Sequence, residues 1–230
     1  RMLLVQAILY KKDASPPART VMIVADILGV PYQPQELNPV LREQDSPEMV
    51  KKNPMKTIPL WEEDNFHLAD SHAIILYLFD KYAKPEHEYL YPRNKKIRAI
   101  INHRLFFDCG ILFPILRSIM GPIYIGKLTG LSKSMIRNID NAYKTLENYL
   151  DTLYLADNVM TLADISILTT ISTLNGLHPI ETMRYPKLSG WYKNMCAKDF
   201  SKKINEPGAK EHVEGLLGFM KNNAHLKSKL

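Results

Sequence analysis

Asn53-Pro54-Met55-Lys56-Thr57-Ile58-Pro59 leads into Leu60-Trp61-Glu62-Glu63-Asp64-Asn65-Phe66-His67-Leu68-Ala69 and then into Asp70-Ser71-His72-Ala73-Ile74. A proline-closed turn is followed by two short apolar runs, residues 58–61 and 66–69, with Glu62-Glu63-Asp64-Asn65 between them, which predicts a β-hairpin. From Ser71 the apolar residues change period: Ile74, Ile75, Leu78 and Tyr82 recur at the spacing of one helix face. Upstream, residues 5–10 read as a buried strand, and Ser15-Pro16-Pro17 opens a second helical pattern through Val21, Val24, Ala25 and Leu28. Gly29 ends that helix, and residues 32–37 read as another strand.

The order β-α-β-(α)-β-β-α is that of a thioredoxin-like domain. Polar, proline-containing Lys84-Pro85-Glu86-His87-Glu88 reads as a linker. From Arg93 onward nearly every apolar residue recurs at helical spacing: Ile97, Ile100, Ile101, Leu105 and Phe106, then Ile136, Ala142, Leu146 and Leu150, then Ile165, Leu168, Thr169 and Ser172, then residues 191–196. The expectation is therefore an α/β thioredoxin-like domain over 1–84 and an all-α domain over 92–230.

With 230 residues, 46% hydrophobic and 23% charged, the chain has the composition of an ordinary globular protein. No uninterrupted apolar run approaches the ~20 residues that span a bilayer, and residues 1–10 lack the pattern of a signal peptide. Membrane association is not expected. Cys109 and Cys196 cannot make a disulfide framework, which fits a reducing, cytoplasmic setting. The net charge of +6 comes from scattered basic residues with acids between them, apart from a basic tail at Lys202-Lys203 and Lys221 through Lys229. That is a solvated surface rather than a nucleic-acid stripe, so no nucleic-acid partner is expected. The histidines do not gather at ligand spacing and there is no Cys-x-x-Cys, so neither a metal nor dithiol redox chemistry is expected.

Three places carry chemistry, and each also has a purely structural reading. Ser15 at a helix start is an N-cap by default; the same geometry lets its hydroxyl donate to a thiolate favoured by the helix dipole. A free thiol has a pKa of ~8.5, and lowering it by ~2 units requires ~2.7 kcal/mol. One charge-assisted hydrogen bond plus a helix terminus is enough. Ile58-Pro59 is either a simple turn or a cis bond that presents the Ile58 backbone at a sheet edge, ready to pair with an extended ligand. Asp70-Ser71 is either a capped helix start or a seat for a zwitterionic amino-acid head.

Ser-Pro-Pro-x-Arg from Ser15, Asn-Pro-x-x-Thr-Ile-Pro from Asn53 and acid-Ser-His-Ala-Ile from Asp70 resemble the insect delta and epsilon glutathione transferases. Thr161-Leu162-Ala163-Asp164, with Ile171-Ser172 and Pro179, resembles the epsilon class more closely. The resemblance covers essentially the whole chain, and it is the order and spacing of the short motifs that make it specific. It implies the glutathione transferase fold and a cytoplasmic homodimer, with glutathione as co-substrate and no permanently bound cofactor. The implied partners are glutathione and hydrophobic electrophilic small molecules, in xenobiotic or insecticide detoxification.

It also implies site residues. Ser15 stabilises the thiolate. Gln44 lies near the glycyl end, with Lys56 where the epsilon pattern usually has His; Lys keeps a donor and adds a charge. Thr57 and Ile58 meet the cysteinyl backbone, and Asp70, Ser71 and His72 the γ-glutamyl end. Arg117 matches an arginine beside the thiol, its alternative being a solvent-facing side chain. The hydrophobic substrate is expected along Leu112, Leu116 and Met120, a stripe that is core by default, with Pro114 bending the helix and Leu216, Leu217 and Phe219 as a lid. Thr161-x-x-Asp164 is a capping box and stays outside the site. Two other functions remain open: a low-turnover lipophile or steroid carrier on the same fold, and an enzyme of steroid-hormone synthesis. Residues 112–120 offer no carboxylate to grip a sterol hydroxyl, which argues against the second.

Overall fold

The computed structural model describes residues 7–228. Val5 and Gln6 of the expected first strand, and Lys229 of the basic tail, lie outside that range. The chain begins β1 (Ile8–Lys11), α1 (Pro16–Leu28) and β2 (Gln33–Glu36). Two 3-10 turns (Pro39–Leu41, Glu43–Asp45) lead to α2 (Pro47–Lys52), β3 (Leu60–Glu63), β4 (Phe66–Ala69) and α3 (Ser71–Tyr82). The sheet runs β2-β1-β3-β4, with β1 parallel to β2 and antiparallel to β3, and β3 antiparallel to β4. β2 carries Pro34, which lacks an N–H; its place on the sheet edge accommodates that.

The hairpin differs from expectation at its turn. Glu62 and Glu63 belong to β3, and only Asp64-Asn65 turns, with Asp64 at φ +50°. Glu63 enters the strand because its carboxylate is taken up under α3: Tyr77 donates at 2.5 Å and Lys81 at 2.6 Å, and Tyr82 donates as well.

A 3-10 turn at Pro85–Leu90 stands where the linker was expected. The rest is helical: α4 (Lys95–Phe107), a π-helical turn (Asp108–Leu112), α5 (Phe113–Tyr124), α6 (Lys133–Tyr149), α7 (Leu162–Leu177), α8 (Pro186–Cys196), a second π turn (Ser201–Asn205) and α9 (Glu206–Lys227). The π turn ends just before Pro114, whose missing N–H no α-helical carbonyl then has to match. Lys95–Tyr124 is long and apolar enough to cross a membrane by length and composition. Here it is a core helix, with Ile101, Leu105, Phe107, Leu116, Ile119 and Ile123 buried against other helices.

One apolar cluster joins the sheet to the helices, packing Leu9, Val24, Trp61, Ile74 and Leu78 with Ile101 and Leu105 of α4 and Leu162 and Ile165 of α7. A second fills the helical half around Leu116, Ile139, Tyr143, Leu168 and Trp191. α7 is buried on nearly every side, and the Thr161–Asp164 capping box starts it. Burial raises the Asp164 pKa. Its carboxylate nonetheless accepts from the Thr161 and Leu155 amides and from Trp191 Nε1 (2.9 Å), a structural role away from the site.

Candidate active site

A cavity of about 450 Å³ opens between the two halves of the molecule. One side is lined by Lys12, Ser15, Asn38, Val40, Gln44, Lys56, Thr57 and Ile58, the other by Phe113, Arg117, Met120 and Tyr124 of α5 and Glu211, His212, Gly215 and Phe219 of α9.

Ser15 occupies the N-cap position of α1 but makes no side-chain capping hydrogen bond. The reason lies in the next residues. A cap oxygen reaches the N2 or N3 amide, and with Pro16 and Pro17 at the first two helical positions only the Ala18 N–H is left in reach. The hydroxyl thus sits at a helix N-terminus, on the cavity wall, uncommitted to the helix.

The loop before Ser15 is held from beneath. Arg19 is fully buried and donates to the carbonyls of Asp13 (3.2 Å) and Ala14 (2.7 Å), to Thr169 O (3.0 Å) and to Asn205 Oδ1 (3.1 Å). Burial lowers its pKa to about 9, which leaves it cationic at neutral pH. α9 approaches this loop so closely that a Cβ on Gly208 would collide with the Asp13 carbonyl oxygen. Arg19 was quoted in the sequence motif, but its role is visible only once α7 and the 201–205 turn are packed on it.

Ile58-Pro59 is a cis bond. Asn53, 3% exposed, holds the turn before it by donating to Thr57 O (2.8 Å) and Thr57 Oγ1 (3.2 Å). Lys56 takes φ +55° and reaches the cavity. Gln44 lines the same wall, and its buried Oε1 has no hydrogen-bond partner among the described residues.

Asp70 and Ser71 are beyond the cavity's enclosed wall. Asp70 has φ +73°, a conformation an L-residue holds at a cost of about 1–3 kcal/mol. It caps α3, accepting from the amides of His72 (2.9 Å) and Ala73 (3.2 Å). Hydrogen bonding from His72 holds its pKa below the ordinary carboxylate value, against the opposing effect of burial. His72 does not line the cavity. Its Nδ1 meets Asp70 at 3.2 Å, and its Nε2 meets Asp108 at 3.2 Å and Ser166 Oγ at 3.1 Å. Burial opposes the charge, but the bonds to Asp108 and Asp70 outweigh it and push the pKa up to about 10. His72 is therefore an imidazolium bound between the halves, held by Asp70 on one side and by Asp108 and Ser166 on the other. Asp70, His72 and Cys109 bring potential metal-ligand atoms within 4.8 Å of one another. In this arrangement both ring nitrogens of His72 already have partners, Asp70 on one and Asp108 and Ser166 on the other.

The hydrophobic wall needs correction. Leu112, Leu116 and Leu216 are fully buried in the helical core, not on the cavity. Residues four apart drift on a 3.6-residue helix, so Met120 lies about 80° around from Leu112. The stripe starts in the core and ends in the cavity. The face that lines the cavity is Phe113, Arg117, Met120 and Tyr124, and on α9 it is His212, Gly215 and Phe219. Among the expected hydrophobic residues, only Met120 and Phe219 line it. Leu217 is exposed and does not.

Residues 9–86 match the N-terminal domain of glutathione S-transferases and residues 129–199 their C-terminal domain. Glutathione S-transferase 1 of Manduca sexta is 40% identical over 202 residues, covering 87% of this chain and 92% of that protein. The chain belongs to the glutathione S-transferase family. Among solved structures, an epsilon-class glutathione S-transferase from the housefly, Musca domestica, superposes with a TM-score of 0.89 at 35% identity, covering 93% and 98% of the two chains. A glutathione transferase homologue from Drosophila mojavensis with bound glutathione gives 0.87 at 37%, covering 93% and 97%. This glutathione S-transferase is thus an enzyme of the insect delta/epsilon type, with glutathione conjugation as its chemistry and a thioredoxin-like domain joined to a helical one as its fold.

Proposed function

We propose that the enzyme is of the epsilon class and adds the glutathione thiolate to hydrophobic electrophiles, with Ser15 holding the thiolate. The observation that carries this reading is the Ser15 hydroxyl, released from capping and facing a cavity whose opposite wall includes Phe113, Met120 and Phe219. Thr57 and Ile58 meet the cysteinyl backbone, and Gln44 and Lys56 the glycyl end. Asp70 and Ser71 take the γ-glutamyl head, and Arg117 adds positive charge beside the sulfur. Proximity and the lowered thiol pKa are what the protein contributes.

Detoxification in the cytoplasm fits this chemistry, and free Cys109 and Cys196 suit a reducing compartment. Phe106, 73% exposed, and Phe66 offer apolar surface that a second copy of the chain would cover, so we take the enzyme to be a homodimer. We place the boundary between the two domains at residues 85–91. For a steroid-directed enzyme, the cavity does gain a carboxylate from Glu211, but Lys12 pairs with it at 3.3 Å.

Ser15→Ala tests the reading. With glutathione bound, thiolate absorbance should titrate well below the free-thiol value of ~8.5 in the wild type, and the mutant should titrate ~2 units higher with most turnover lost. Equal titrations and equal turnover would return Ser15 to a purely structural role.

A further inference from the structure

A chain of polar groups runs from the buried Arg19 to the cavity. Arg19 Nη2 lies 3.4 Å from Thr173 Oγ1, Thr173 Oγ1 lies 3.2 Å from His212 Nδ1, and His212 Nε2 lies 3.4 Å from the Tyr124 hydroxyl. Arg19, Thr173 and His212 are buried; Tyr124 and His212 line the cavity. The four come from α1, α7, α9 and α5 and meet only in the fold, so no local sequence pattern groups them.

Chemistry fixes the direction of the chain. A guanidinium only donates, so Thr173 Oγ1 accepts from Arg19. Its own proton then goes to His212 Nδ1, since the opposite arrangement would strand a buried O–H without an acceptor. Nδ1 is thereby the accepting nitrogen, and the ring proton sits on Nε2. Burial and the nearby Arg19 charge push the His212 pKa down to about 3, so the ring is neutral and has only that one N–H. Nε2–H donates to the Tyr124 oxygen, which leaves the phenolic proton for the cavity. Burial pushes the Tyr124 pKa up to about 12, so the proton stays on. The ring is steadied edge-to-face by Phe219, with centroids 5.4 Å apart and planes at 87°.

We infer that Tyr124 is a catalytic hydrogen-bond donor of the second-substrate site, oriented by the Arg19–Thr173–His212 chain, and that it selects electrophiles whose reaction builds charge on oxygen, above all α,β-unsaturated aldehydes and ketones. This rests on the conjugation reading above and narrows it. The thiolate pair forms the S–C bond at the β carbon while the C=C π pair shifts toward the carbonyl oxygen. The Tyr124 O–H donates to that developing enolate oxygen. The α carbon then takes a proton from water, replacing the one the thiol released to solvent, and the saturated carbonyl re-forms. Aromatic halide displacement, in contrast, spreads its charge over a nitro-substituted ring and gains less from one fixed donor.

The test compares trans-2-nonenal with 1-chloro-2,4-dinitrobenzene in the wild type, Tyr124→Phe, His212→Leu and His212→Gln. Tyr124→Phe should lower the ratio of enal to dinitrobenzene kcat by about tenfold or more. His212→Leu should move the ratio the same way. His212→Gln should restore much of it, because a carboxamide can accept from Thr173 and donate to Tyr124 at once. That rescue separates orientation of Tyr124 from a packing role of His212. An unchanged ratio in Tyr124→Phe, or a wild type that conjugates the dinitrobenzene but not the enal, would overturn the inference and leave the conjugation reading standing. A wild type that conjugates neither would bring down both.

Discussion

The Arg19 guanidinium donates to the carbonyl oxygen of Ala14 at 2.7 Å, so the residue preceding Ser15 hangs from a buried cation. The same guanidinium also reaches Thr169 of α7 and Asn205 before α9, tying the Ser15 loop to the helical half. Its acceptors are neutral, so the group contributes through geometry and several charge-assisted bonds rather than through an ion pair.

From this we expect Arg19→Lys to be a poor replacement, since a lysine cannot span acceptors on three segments. Urea unfolding should show a loss of about 3 kcal/mol. The thiol pKa of bound glutathione should rise as well, because Ser15 is no longer held. A mutant with wild-type stability and wild-type thiol pKa would show that the loop keeps its shape without Arg19.

Asp70→Asn and Ser71→Ala address the far end of the tripeptide. Asn retains the cap of α3 and tolerates the positive φ at this position, so folding should survive. If the proposed contact of Asp70 with the γ-glutamyl ammonium holds, losing the carboxylate should raise the glutathione KM by about tenfold and change kcat less. Steady-state kinetics with glutathione varied at saturating electrophile measure this. An unchanged KM in both mutants would reverse the assigned orientation.

The fold was legible because its signals are local. The strand–helix alternation over residues 8–82, the cis-proline turn and the capping box each lie within a few residues of one another. That Ser15, Thr57 and Ile58 share one cavity wall follows from the same local order. What was not legible depends on which face of a helix meets which neighbour. A Leu112–Leu116–Met120 repeat gives one apolar row, but the π turn at Asp108–Leu112 and the 3.6-residue drift decide that its first two members go inward. His72 sat in a recognised motif, yet its partners Asp108 and Ser166 lie far along the chain. The Tyr124–His212 pair carries no local signal at all.

His72 also predicts a pH dependence. Its pKa in the folded protein, about 10, lies above the ~6.5 of an unfolded histidine. The folded state holds the proton more tightly, so the stabilisation is fully present below about pH 6.5 and is lost as pH rises toward about 10. His72→Leu leaves the Asp108 carboxylate buried with only Ser166 donating to it, and should cost about 3 kcal/mol at pH 6. The melting-temperature gap between wild type and mutant should narrow at pH 10. Groups such as Lys81 titrate in both proteins and cancel in the difference. A gap independent of pH would mean that His72 is neutral in the fold.

The last prediction separates core from cavity on α5. Leu116 is fully buried among Ile119, Tyr143 and Leu168, while Met120, one turn on, is half-buried and lines the cavity. Leu116→Ala removes packed methylenes and leaves a void, a loss of about 2–5 kcal/mol. The ranking of a panel of electrophiles should stay as in the wild type, since the side chain does not reach the substrate. Met120→Ala removes part of a wall that faces a ligand, so it should cost less stability and reorder the panel. Thermal unfolding and kcat/KM across the same electrophiles, measured for both mutants, check the two halves together. If Leu116→Ala reorders the panel and Met120→Ala does not, the cavity wall lies on the other face of the helix.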